Sequence, residues 1–185
     1  IYTHNWTGPF YGFERAIESY ELTDKPYRFK PIDIYYHSYI VSKTASLNSL
    51  HKVYQWALKQ PVFPVYSSEY IEKVLDFNDF VIARTPEGYR FRGNGDLKTV
   101  RWTDEKNHIN FADSPQVAGF NRYNGQNYVH LLASNTDLVT QSANNTLPYV
   151  ESTNARINRF ARSKNALDFS LTAYQPISIT FANAS

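Results

Sequence analysis

The chain has no cysteine and no methionine among its 185 residues. Without cysteine it forms no disulfide, ligates no metal through a thiolate and offers no thiol nucleophile. Without methionine it carries no initiator, and the opening Ile1-Tyr2-Thr3-His4 reads as the inside of a strand, so a piece of a longer protein is expected. No apolar run is long enough to span a bilayer, and no signal-peptide pattern is visible, so no transmembrane segment is expected. An excess of one charge is missing too: 19 Lys and Arg stand against 17 Asp and Glu, a formal net charge of +2. No segment concentrates the positive charge, so a nucleic-acid partner is excluded. The signatures HxxxH and HExxH, an Asp-rich ligand run, a GxSxG elbow and a phosphate-binding glycine loop are all absent. The carboxylates Glu14, Glu18, Glu21, Asp24 and Asp33 contain no pair spaced as a glycosidase acid and base.

What is present is a globular composition, 42% apolar and 19% charged. A chain of this length buries roughly 70% of its unfolded surface. Aromatic residues reach 16%, with 15 Tyr, 12 Phe and 3 Trp. Rings with a polar handle suit stacking on sugars and lining wet clefts, and they equally fill the core of a β-sandwich.

Residues 1–77 alternate strand and helix signals. Ile1–Trp6 reads as a strand, and Phe10, Phe13, Ile17 and Tyr20 then fall at helical spacing. Ile32–Tyr36 is apolar almost throughout, as for a strand covered on both faces of a parallel sheet. A helix follows, capped by Ser42 or Thr44, with Leu47, Leu50, Tyr54, Ala57 and Leu58 as its inward stripe and Pro61 at its end. Phe63–Tyr66 reads as a further buried strand, and Ser67 and Ser68 open a helix with Ile71, Val74 and Leu75 inward. This order is the grammar of a parallel α/β unit. From about Asn78 onward the chain reads as short antiparallel strands. Pro86-Glu87-Gly88, Asn94-Gly95 and Asn124-Gly125 supply turns, and Leu167, Phe169, Leu171 and Ile177, Ile179, Phe181 alternate with polar residues. The fold expected is α/β plus all-β, with residues 1–77 as one domain and 78–185 as a β-sandwich.

Five histidines are the candidates for chemistry. His51 lies on a helix, His108 in a polar loop and His130 on a strand. His4 and His37 each end an apolar strand, in Ile1-Tyr2-Thr3-His4 and Ile34-Tyr35-Tyr36-His37. The carboxyl ends of parallel strands are where α/β barrels place their sites. An imidazole there suits a general acid, or it caps its strand with a hydrogen bond.

Residues Ile1–Phe13, Pro31–Tyr39, Ala45–Leu47 and Val53–Pro61, with Val117–Phe120, Tyr128–Leu131 and Pro148-Tyr149, resemble the deacetylase region of PelA-type proteins. Those are periplasmic enzymes of Pel exopolysaccharide biosynthesis. The resemblance implies a NodB-like distorted (β/α) barrel ending near residue 77, followed by the β-sandwich. It implies a metal-dependent polysaccharide N-deacetylase, a carbohydrate esterase, acting on an N-acetylated hexosamine polymer. The divalent metal, typically zinc, would be held by ligands upstream of this chain, with none inside it, so the fragment alone would be inactive. Ile34-Tyr35-Tyr36-His37 matches the family's late strand ending in the general acid, which assigns that role to His37. Ser38 stands where the family commonly has Asp. Substrate contacts are expected from Trp6, as an aromatic wall, and from His4, Tyr36 and Tyr39, although His4 has no counterpart in the family scheme. A periplasmic or secreted location, and the exopolysaccharide export machinery as partner, follow from the same resemblance. The alternative is a non-catalytic carbohydrate-binding or structural β-sandwich module, stacking sugars on Trp102, Tyr123 or Tyr128.

Overall fold

A computed structural model describes residues 11–24, 30–103, 106–123 and 125–183. The chain divides into two compact units, residues 1–62 and 63–185. Among the described residues the first unit is helical and the second carries one helix and antiparallel sheets, an α+β composition for the chain.

In the first unit, α1 (Tyr11–Leu22) packs on α2 (Thr44–Leu58). The buried side of α2 is Ser46, Ser49, Val53 and Ala57, a spacing of three to four residues that keeps one helical face. Ala57 is buried as expected, and the rest of the inward stripe lies one position away from the larger Leu47, Leu50, Tyr54 and Leu58. Tyr54 and Leu58 face solvent. Polar contacts across the pair are Lys52 Nζ to Glu14 Oε1 at 2.8 Å and Ser49 Oγ to the same oxygen at 3.2 Å. Both hold the Glu14 carboxyl below its ordinary value, the lysine bond being the larger influence. Tyr20 stacks on Trp56 at 5.6 Å and 13°. The expected cap at Ser42 or Thr44 is not formed; Lys43 is the N-cap, with no side-chain bond.

The strands expected at Ile32–Tyr36 and Phe63–Tyr66 do not form. Both segments run without strand assignment, and among the described residues no strand precedes β1 at Val81. A strand exists only where a neighbour accepts its amides, and no described segment pairs with either. The strand Ile1–Trp6 lies outside the described residues.

Among its described residues the second unit contains α3 (Ser67–Asp79) and eleven strands: β1 (Val81–Thr85), β2 (Gly88–Arg92), β3 (Thr99–Trp102), β4 (His108–Ile109), β5 (Val117–Tyr123), β6 (Gln126–Leu131), β7 (Thr136–Gln141), β8 (Tyr149–Thr153), β9 (Arg156–Arg162), β10 (Leu167–Thr172) and β11 (Ile179–Ala182). They form sheets ordered β1-β2-β7-β4, β3-β6-β5, β10-β9 and β11-β8, with every pairing antiparallel. Two expected hairpins are present. Thr85 pairs with Gly88 across Pro86-Glu87, and Tyr123 pairs with Gln126. Gly88 is required by crowding, since a Cβ there would lie 2.0 Å from the Leu138 carbonyl oxygen. Asn94-Gly95 makes no hairpin: β2 pairs with β7 and β3 with β6, so this loop joins two different sheets.

One apolar cluster is built on Phe91, Val100, Trp102, Ile109, Phe111, Val117, Val129, Leu131 and Leu138. A second gathers Ala118, Val150 and Ile157 with Phe160, Leu167, Leu171, Ile179 and Phe181 around them. Adjacent residues of β5, Val117 and Ala118, point into different clusters. Where β5 meets β8 the approach is so close that a Cβ on Gly119 would lie 1.9 Å from the Val150 carbonyl oxygen. Arg162 ties the same place together. Its Nε donates to Pro148 O at 2.7 Å, and its Nη2 to Val117 O at 3.0 Å and Ala118 O at 2.8 Å. Its guanidinium lies over Phe111 at 4.3 Å and Phe160 at 5.0 Å. Burial lowers its pKa to about 10, which leaves it charged at neutral pH.

Helix α3 turns the expected face outward. Ile71, Val74 and Leu75 are exposed, and the residue that goes inward is Asp76, only 1% accessible. Its carboxylate accepts the amides of Asn94, of Asp96 at 3.1 Å and of Leu97 at 2.7 Å. Burial pushes its pKa up, but the amides of Asn94, Leu97, Asp96 and Gly95 together outweigh that and keep it below the ordinary value. A buried carboxylate fed by backbone donors is thus what holds the β2–β3 loop. The helix start is secured by Glu69 Oε2, which accepts the Tyr66 amide at 2.9 Å.

Candidate functional site

His37 sits where an extended segment becomes a helical turn. Pro31 fixes φ at the start of that segment. From there Ile32 and Ile34 are partly buried while Asp33 and Tyr35 are exposed, an alternation of period two. At His37 the backbone is still extended (φ −88°, ψ 137°), and its carbonyl accepts the Ile40 amide at 3.0 Å to open the 3-10 turn Ser38–Ser42. Ile40 is buried and anchors the turn. Ser42 Oγ donates to the Tyr39 carbonyl at 2.7 Å. On the other side, the Tyr20 hydroxyl of α1 donates to the Asp33 carbonyl, so a buried helix residue fastens the extended run.

The His37 ring is exposed. It lies between two tyrosines: Tyr39 stacks on it at 5.2 Å and 14°, and Tyr35 meets it edge-on at 5.3 Å and 74°. Tyr35 is 73% exposed and Tyr39 56%. Tyr36 is exposed as well. Behind this row stands Tyr54 of α2, whose phenol is raised first by burial, then by Tyr36 and by the Asp33 carboxylate. Tyr20 is raised for the same first reason, with Asp33 and Tyr54 adding to it. The arrangement is an exposed imidazole set in a row of aromatic faces.

The predicted site residues divide as follows. His37, Tyr36 and Tyr39 lie together on residues 36–39. His4 and Trp6 lie outside the described residues. Tyr35 was missed as a site residue, although the spacing Tyr35-x-His37 already puts the two side chains on one side of an extended chain. Trp102 is overturned as a sugar-stacking residue: it is 8% exposed and part of the apolar cluster, so neither face is free. Tyr123 is exposed and Tyr128 partly buried.

The other histidines play different parts. His51 is exposed on α2, and His108, expected in a loop, is exposed in the short strand β4. His130 on β6 is partly buried and shares a hydrogen bond between its Nδ1 and Thr99 Oγ1 at 3.0 Å, across the β3–β6 pair. Burial first, then the positive charges of Lys98 and Lys73, lower its pKa to about 4. It is neutral at physiological pH and belongs to the sheet. Among the described residues no group of three His, Cys, Asp or Glu is placed to hold a metal ion, and no helix is long and apolar enough to cross a membrane.

No family model, no curated protein and no solved structure matches the chain.

Proposed function

We propose that the chain is the C-terminal part of a metal-dependent polysaccharide N-deacetylase acting on an N-acetylated hexosamine exopolysaccharide of the Pel kind, with His37 as general acid. The observation that carries the reading is the exposed imidazole held between Tyr35 and Tyr39. In this reading a sugar ring stacks on the exposed Tyr35 and presents its acetamido group to the imidazole. In the reaction, water adds to the acetamido carbonyl carbon, and the C–N bond then breaks. Protonated His37 gives its proton to the departing nitrogen, which leaves as the free amine, while acetate is released. A positioned acid of this kind contributes about 10²–10⁴ in rate. In this reading, as the resemblance implies, the metal ligands and the general base are supplied by residues upstream of this chain.

The same reading makes residues 1–77 the last part of a distorted (β/α) barrel and residues 78–185 a β-sandwich accessory domain. It places the protein in the periplasm or outside the cell, working with the exopolysaccharide export machinery. The test is acetate release from an N-acetylated hexosamine oligosaccharide by the complete protein and by its His37→Ala variant. A fall of a hundredfold or more, in line with the loss of a positioned acid, with the circular dichroism spectrum retained, supports the role. Release at the parent rate removes it.

A second reading, a non-catalytic carbohydrate-binding module, is favoured by the exposed rings of Tyr35 and Tyr123. Polysaccharide binding that is lost in Tyr35→Ala, with no acetate released by any variant, would select it.

A further inference from the structure

In the second unit two tyrosines far apart in the chain come together. Tyr66 immediately precedes α3 and Tyr174 follows β10, and their rings meet edge to face at 4.9 Å and 70°. Aromatic pairs of this geometry ordinarily fill cores. This one faces water, since Tyr66 is 64% exposed and Tyr174 54%. Beside the rings lies an ion pair, with Arg156 Nη2 donating to Glu69 Oε1 at 2.6 Å. The other Glu69 oxygen accepts the Tyr66 amide at 2.9 Å. That amide is the largest influence on the Glu69 carboxyl and, with Arg156, outweighs desolvation and holds it below its ordinary value. The Tyr174 phenol is raised by desolvation first and then by the Glu69 carboxylate, which places the hydroxyl beside the same group. The Arg156 side chain is half exposed, and its guanidinium carries further donors.

Two aromatic surfaces set nearly at right angles, next to a fixed carboxylate acceptor and a guanidinium donor, match the two-sided chemistry of a pyranose ring. The C–H face of the sugar packs on aromatic carbon, and its rim of hydroxyls both donates and accepts hydrogen bonds. An apolar protein surface laid over the same place would strip water from Glu69 and Arg156 without replacing its bonds, whereas hydroxyls replace them. We propose that Tyr66, Tyr174, Glu69 and Arg156 form a saccharide-binding site on the second unit, which takes a pyranose unit of a neutral or N-acetylated polysaccharide. None of these residues belongs to the row around His37, and the site works with or without a catalytic role for that histidine.

The experiment is isothermal titration calorimetry of the complete protein carrying His37→Ala, with oligosaccharides of N-acetylglucosamine, N-acetylgalactosamine and glucose as probes. Binding of at least one is expected. It weakens about tenfold in Tyr66→Ala and in Tyr174→Ala, the scale of one lost stacking contact, and stays within about twofold in Tyr174→Phe, which keeps the ring. Tyr66→Ala retains the backbone amide that Glu69 accepts, and both rings are exposed, so the circular dichroism spectra of these variants match the parent's. A second readout needs no alanine variant: in tyrosine-labelled protein the Tyr174 ring resonances, identified through Tyr174→Phe, shift as the sugar is added. Binding of none of the three sugars, undiminished binding in both alanine variants, binding lost only in Tyr35→Ala, or unmoved Tyr174 resonances overturns the proposal. Self-association of the protein that Tyr174→Ala abolishes would make the pair a protein contact and overturn it too. Acetate release by the parent tests His37 separately.

Discussion

Lowering the pH from 7 to 4 destabilises the β-rich unit through His130, and replacing that residue removes the effect. In the unfolded chain His130 takes up a proton as the pH falls through its ordinary value of 6.5; in the folded chain it does so only near 4. Between those values the unfolded state binds more protons, so stability is lost as the pH falls and the loss levels off below about 4. The gap between 6.5 and about 4, at about 1.4 kcal/mol per pKa unit, caps the loss at roughly 3 kcal/mol. The cause is geometric: the ring is partly buried on β6, and the charges nearby, Lys98 and Lys73, are both positive. Urea unfolding of the parent and of His130→Gln at pH 7.5, 6.0 and 4.5, followed by circular dichroism, measures it. Carboxylates titrate in both proteins and cancel in the difference. The parent should lose up to about 3 kcal/mol more than the variant across this range. Parallel losses would refute the account of His130 as a buried neutral base.

Asp76→Asn removes the negative charge that accepts the β2–β3 loop amides and should lower unfolding stability by about 2–3 kcal/mol, the scale of hydrogen bonds to a charged group, read by the same urea titration. Because the Asp76 pKa lies below its ordinary value of 3.8, its contribution is present above that value and fades as the pH falls through the lowered one, so parent and Asp76→Asn should converge in strong acid. Gly119→Ala places a Cβ against the Val150 carbonyl, and overpacking of this kind costs about 1–3 kcal/mol or more. A lowered melting temperature checks it, and an unchanged one would mean that β8 moves aside.

Much of the β-rich unit is legible in the sequence because its signals are local. Pro86-Glu87 and Asn124-Gly125 bring neighbouring strands together within a few residues, and the alternation of Leu167, Phe169 and Leu171 marks the partly buried side of β10. Where the deciding partner is distant, the reading fails. Asn94-Gly95 looks like a hairpin, but its flanking strands find β7 and β6 instead, and the loop is held by Asp76, 18 positions earlier. The α3 stripe Ile71, Val74 and Leu75 satisfies helical periodicity and still faces water, while polar contacts hold the helix: Asp76 takes the loop amides, Lys73 Nζ donates to the Asp96 carbonyl at 2.8 Å and Arg156 pairs with Glu69 at 2.6 Å. In the site, Tyr36, His37 and Tyr39 stand out in the sequence at the end of an apolar run, whereas Tyr35 does not. The stacking on Tyr39 is not legible there, because a 3-10 turn of five residues carries no strong periodic signal.

The tie made by Arg162 has a consequence for the conditions under which this protein holds together. Lys52–Glu14, Arg90–Asp137 and Arg159–Asp168 are solvent-facing ion pairs, whose small contributions fade as ions accumulate around them. Arg162 instead meets carbonyl oxygens and aromatic faces, at distances well inside a screening length of about 8–10 Å at ordinary ionic strength. The junction of β5, β8 and β9 is therefore insulated from the salinity of its surroundings.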